Sequence, residues 1–157
     1  MSKDTAILCI DPGTTHSGVC LLRGDYPVEV AHEANQDVLV RLQSTEADLL
    51  LIEKVSGGGR AGEALLRTVW WSGAFCAVAS LWGTDYAQMP RSSVKRILHV
   101  KRQKQVKSAD SKVRAALREL YSGRDDILNM LAGGGGHGLQ ACAMGIAYRM
   151  NEGLCEL

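Results

Sequence analysis

The sequence predicts an α/β fold, a five-stranded mixed sheet flanked by helices, and three observations carry that expectation. Residues 7–10 (Ile-Leu-Cys-Ile) and 49–52 (Leu-Leu-Leu-Ile) are apolar without alternation, as expected of central strands covered on both faces. Each run ends on an acid, Asp11 in the first and Glu53 in the second. Three further strand-like runs and several stretches of helical periodicity are interleaved with them. If the two central strands are parallel neighbours, both carboxylates project from the carboxyl edge of the sheet, where open α/β sheets place their ligands. Like charges held that close call for a cation, and magnesium binds through one or two carboxylates plus substrate phosphates.

The elements follow in order. Pro12-Gly13 turns the chain back after Asp11, and residues 19–22 return as a second strand at hairpin distance. Asp before Pro-Gly is also a common turn former, so that residue alone does not decide its role. Residues 23–27 form a turn cluster, and residues 28–32 alternate as a half-exposed edge strand should. Asn35 is placed to cap a short helix through Gln43, with Val38, Leu39 and Leu42 on its apolar stripe. After the strand that ends at Glu53, three glycines (57–59) and Arg60 make a loop that either brings backbone amides to a phosphate or is simply disordered, and the sequence is compatible with both.

Residues 61–82 carry the longest helical pattern, stopped by Gly83 and apolar nearly all round. Such a helix is expected to be covered on more than one side, and Trp70-Trp71 suit an interface. Residues 84–89 read as the last strand, ended by Pro90, and Ser92 or Ser93 is placed to cap a short basic helix. A polar basic link over 101–107 leads to a helix from Ser108 to Tyr121, with Val113, Ala116, Leu117 and Leu120 on its buried stripe. Residues 125–131 form a short acidic helix or a loop, and Gly133 to Gly136 read as a hinge. The last helix, 137–148, turns Leu139, Cys142, Ala143, Ile146 and Ala147 toward the sheet.

At 157 residues and 46% apolar content, one domain spanning 1–157 is expected, burying roughly 70% of its unfolded surface. There is no uninterrupted apolar run of 18 residues and no signal-peptide pattern at the N-terminus, so a cytoplasmic protein with no membrane partner is expected. The five cysteines are odd in number, lack a Cys-x-x-Cys pair and lie mostly in apolar runs, which suits reduced core thiols. The net charge of +1 conceals an asymmetry: residues 91–118 hold ten Lys or Arg against Asp110 alone, a local balance of +9. A positive segment on an otherwise acidic chain is the electrostatic footprint expected for a nucleic-acid partner, the alternative being a basic helix face that is merely solvated.

The opening motif Asp11-Pro-Gly-Thr-Thr-His-Ser-Gly resembles that of RuvC-type Holliday-junction resolvases, including their bacteriophage relatives, within the ribonuclease H-like superfamily. The order of elements fits that resemblance over nearly all of the chain. It implies a metal-dependent endonuclease that cleaves branched DNA such as Holliday junctions, with Mg2+ as cofactor and Mn2+ able to substitute. In the mechanism so implied, Asp11 bridges two magnesium ions, Glu53 and His137 hold one each or share them, and the phosphodiester is hydrolysed in line. Many relatives carry two acids three residues apart at the start of the last helix. Here those places are His137 and Gln140, which share a helix face and complete the candidate catalytic set with Asp11 and Glu53. The resemblance also implies a homodimer, because two symmetric strands of a junction are cut. Candidate phosphate contacts are Arg60, Lys95, Lys101, Arg102, Lys104, Lys107 and Arg114.

Two departures keep other readings open. Some resolvases probe a base with a bulky residue after the second acid, and Ser-Gly-Gly-Gly (56–59) offers none. The neutral Gln140 is compatible with a DNA-binding module that has lost cleavage. Asp-x-Gly-Thr-Thr-x-Ser also resembles the phosphate loop of actin-like and sugar-kinase ATPases, but those close two such domains around the nucleotide and this chain has the length of one.

Overall fold

A computed structural model describes residues 4–56, 62–98 and 109–155. Five strands, β1 (Ala6–Asp11), β2 (His16–Arg23), β3 (Tyr26–Ala34), β4 (Leu49–Lys54) and β5 (Asp85–Pro90), form one mixed sheet in the order β3-β2-β1-β4-β5. β1, β4 and β5 run parallel, while β2 and β3 form an antiparallel meander on the other side of β1. Six helices lie among the described residues: α1 (Asn35–Ser44), α2 (Glu63–Leu81), α3 (Arg91–Ile97), α4 (Ala109–Leu120), α5 (Asp125–Gly133) and α6 (Gly135–Asn151).

The unbroken apolar runs are buried on both faces, as central strands must be. Ile7, Cys9, Leu49 and Leu51 meet α3, α4, α5 and α6 on one face; Leu8, Ile10, Leu50 and Ile52 meet α1 and α2 on the other. Each such aliphatic side chain contributes about 1.5–3 kcal/mol on burial. α6 lies in the first layer with an unbroken buried run from Gly138 to Ala147. Three of its positions need glycine to do so: a Cβ at Gly138 would come within 2.9 Å of the Ala31 carbonyl, and one at Gly145 within 2.5 Å of Cys9 Sγ, while Gly135 has a φ of +65°. At the far end of the sheet, buried Arg149 donates from Nε to Asp25 Oδ1 (2.8 Å) and Tyr121 donates from its hydroxyl to the Asp25 carbonyl (2.6 Å), tying α4 and α6 to the β2–β3 turn.

Several expectations need correction. Asn35 does not cap α1: it is the helix's first residue and buried, Ala34 takes the cap position, and the Asn35 side chain is used in tertiary bonds instead. Neither Ser92 nor Ser93 caps α3, which begins at Arg91 directly after Pro90. The run of four glycines is no extended hinge, because α5 continues through Gly133 and α6 starts at Gly135. Among the described residues α2 buries one side only, through Ser72, Phe75, Cys76 and Ala79 with Trp71 and Val78 packed at its margin, and Leu66, Val69, Trp70 and Leu81 stay exposed. α2 is long and apolar enough by length and composition to cross a membrane, although one face of it packs on the sheet. Cys9, Cys20, Cys76 and Cys142 are buried free thiols and Cys155 is a half-buried one.

Candidate active site

The register of the parallel pair builds the site. Ile10 stands beside Ile52, so the next residue of each strand, Asp11 and Glu53, emerge side by side at the carboxyl edge. β5 ends at the same edge, Met89 pairing with Glu53, and the residue after Pro90 is Arg91, whose Nη1 lies 3.9 Å from Glu53 Oε1. From the opposite side the first turn of α6 delivers His137, with Nδ1 2.7 Å from Asp11 Oδ2. A carboxylate only accepts, so with Asp11 ionised Nδ1 carries the proton of this bond. The position also sets Asp11 at the N-terminal end of α6, where the helix dipole favours negative charge.

Gly18 makes that approach possible. It pairs with Asp11 on one side and with His32 on the other, and a Cβ there would fall 2.0 Å from the His137 carbonyl carbon. The turn between Asp11 and β2 is held by a closed set of bonds. Asn35 Nδ2 donates to the Gly13 carbonyl (3.1 Å), Ser17 Oγ donates to Asn35 Oδ1 (2.7 Å) and the Gly13 amide donates to Ser17 Oγ (3.3 Å). The Asn35 amide donates to the Thr15 carbonyl (2.9 Å). Asn35 and Ser17 thus fix the backbone from which Asp11 projects.

The electrostatics are those of a crowded acid pair. Burial, and then the charge of Asp11, push the Glu53 carboxyl up from 4.5 to about 7, opposed by Arg91 and His137. A carboxylate that holds its proton this tightly beside a second one is short of positive charge, and its oxygens fit a hard divalent cation. The fit is with this pair: among the described residues no three His, Cys, Asp or Glu side chains form a ready-made metal cluster.

Asp11, Glu53 and His137 are brought together. Gln140 lies one turn further along α6 and is buried. Lys95 sits on α3 one turn beyond Arg91, and Arg114 on α4, both half-buried. Arg60, Lys101, Arg102, Lys104 and Lys107 fall outside the described residues. Sequence reasoning missed Arg91 as a neighbour of Glu53, although its place directly after a parallel strand would have put it at that edge. It also missed His16 and His32, whose rings continue the row from His137.

No family model matches the sequence, and no curated protein sequence matches it significantly. Solved structures do match. Thermus thermophilus RuvC in complex with a Holliday junction substrate superposes with a TM-score of 0.68 at 18% identity, covering 95% of this chain and 97% of that one. Thermus thermophilus RuvC also superposes in another structure, at 0.62 and 17% over the same shares. The yeast mitochondrial Holliday junction resolvase Ydc2 gives 0.57 at 12% identity, covering 96% of this chain and 86% of that one. The five-stranded mixed sheet flanked by helices is the RuvC-type, ribonuclease H-like fold.

Proposed function

We propose that this protein is a divalent-cation-dependent endonuclease that hydrolyses phosphodiesters in branched DNA. The observation that carries the reading is the pair Asp11 and Glu53, abutting at the carboxyl edge with the Glu53 proton held up to about pH 7. Asp11 and Glu53 would hold Mg2+ or Mn2+, which when bound supplies positive charge to the phosphodiester as it is attacked. His137 stands at the same edge, its Nδ1 orienting Asp11. In its neutral form it would be a further ligand for such a cation; in its charged form it could hand a proton to a leaving oxygen. Arg91 partly offsets the charge of Glu53. Branched DNA as the substrate rests on the shared fold and on the basic stretch from 91 to 118.

A symmetric homodimer belongs to the same proposal. Leu66, Val69 and Trp70 of α2, with Leu81 and Trp82 at its end, present an apolar stripe that nothing in the described chain covers. A second copy would cover it and supply the second active site that paired cuts require.

The test is incubation with a labelled four-way junction, a flap and a plain duplex, with Mg2+, Mn2+ or chelator. Cation-dependent nicking of the branched substrates in preference to duplex is expected. A second reading, a module that binds junctions without cutting them, is favoured by Gln140, a neutral buried amide where many resolvases carry an acid. Junction binding without nicking under any cation would establish it.

A further inference from the structure

Three imidazoles form a row across the active edge of the sheet. His16 opens β2, His32 lies in β3 and His137 in the first turn of α6. The rings of His32 and His137 are stacked, with centroids 5.3 Å apart and planes 13° from parallel; His16 backs His32 at 5.4 Å in a tilted contact. The row has a structural cause. Asp11, Gly18 and His32 are register partners on three adjacent strands, and the missing side chain at Gly18 leaves the gap into which the first turn of α6 drops.

The His137 side chain is half exposed. Its bond to Asp11 fixes one ring atom, and because the terminal torsion of histidine is broad the ring plane also responds to what lies against its face. The flat face of His32 lies against that ring in the near-parallel, offset arrangement that aromatic pairs favour at this separation. We propose that His32 is a positioning residue for His137: its ring fixes the plane of the His137 imidazole and so keeps Nδ1 on Asp11. The role acts through the reacting edge assigned above and rests on that reading.

The test compares His32→Ala with His32→Phe, which keeps a flat ring and removes both nitrogens. Long-range proton–nitrogen spectra of the His137 imidazole, recorded without added cation, report its tautomer and the protection of the Nδ1 proton. The parent and His32→Phe are expected to show one protected Nδ1–H tautomer, and His32→Ala a tautomer mixture with rapid exchange. In junction cleavage, kcat is expected to fall about tenfold in His32→Ala with KM unchanged, and to return to within about threefold in His32→Phe. Unchanged melting of both variants separates positioning from folding. A parent-like His137 spectrum in His32→Ala overturns the proposal, as does a His32→Phe variant as impaired as His32→Ala, because then the ring plane is not what matters. If none of the proteins cleaves DNA, the nuclease reading fails while the spectra still decide the positioning.

Discussion

α6 and α2 are long, mainly apolar helices on opposite faces of one sheet, and the chain treats them differently. α6 presses down until Gly138 and Gly145 touch strand atoms, and eleven of its seventeen residues are buried. α2 buries four of nineteen and leaves Leu66, Val69 and Trp70 in solvent. Apolar content says how much surface a helix could bury; the placing of small residues says how much of it one chain can realise. α6 alternates Gly, Ala and Cys with larger groups and can lie flat, whereas the one interior glycine of α2, Gly73, touches nothing. That asymmetry also serves the site, since only a helix pressed to the sheet can place its first turn on Asp11.

The comparison breaks most visibly at Gly145. Its Cβ would lie 2.4 Å from Leu22 Cδ1 and 2.5 Å from Cys9 Sγ, so Gly145→Val should cost about 3 kcal/mol or more through overpacking. Urea unfolding measures it, and a loss below about 1 kcal/mol would mean that α6 is not clamped there. On the other helix, Trp70→Ala should leave monomer stability almost untouched but weaken self-association by about 2 kcal/mol if the stripe is an interface. Sedimentation of both proteins across a concentration series checks this, and a parent that is monomeric throughout removes the proposed dimer.

The third prediction lies where the two faces meet. Glu53 has a folded value of about 7 against an ordinary 4.5, so between those values the folded protein binds more protons than the unfolded chain and stability falls as pH rises. In chelator, the loss from about pH 4.5 to 7 should be on the order of 1–2 kcal/mol and level off above it. Glu53→Gln should flatten that slope and be the more stable protein at pH 8; a slope that survives the substitution assigns it to another group. Smallest is Gly73→Ala, expected to stabilise the exposed helix by about 0.5–1 kcal/mol because the added methyl meets nothing. A loss of stability there would mean that something packs on Gly73.

How much of this was legible in the sequence follows from whether its cause was local. The acid-terminated apolar runs placed Asp11 and Glu53 at one edge because strand burial and strand ends leave local patterns, and the helix bounds came out within three residues. Asn35 read as a helix cap because its type favours that place, yet the bonds to Ser17 and Gly13 were stronger and arise from residues about twenty positions away. The partial exposure of α2 was hidden because an all-round apolar pattern looks the same whether one chain or two will cover it. His32 gave no sign at all: a lone histidine on an edge strand is ordinary until the register sets it beside Gly18 and under α6.

The central claim is that Asp11 and Glu53 together form a cation site. Manganese binding followed by electron paramagnetic resonance, without DNA, tests it most directly on the parent, Asp11→Asn and Glu53→Gln, with melting curves to show that all three are folded. The parent should bind Mn2+, Mg2+ should compete for the same site, and each variant should lose affinity by at least about tenfold because one of two carboxylates is gone. Binding in both variants equal to that of the parent would contradict the claim.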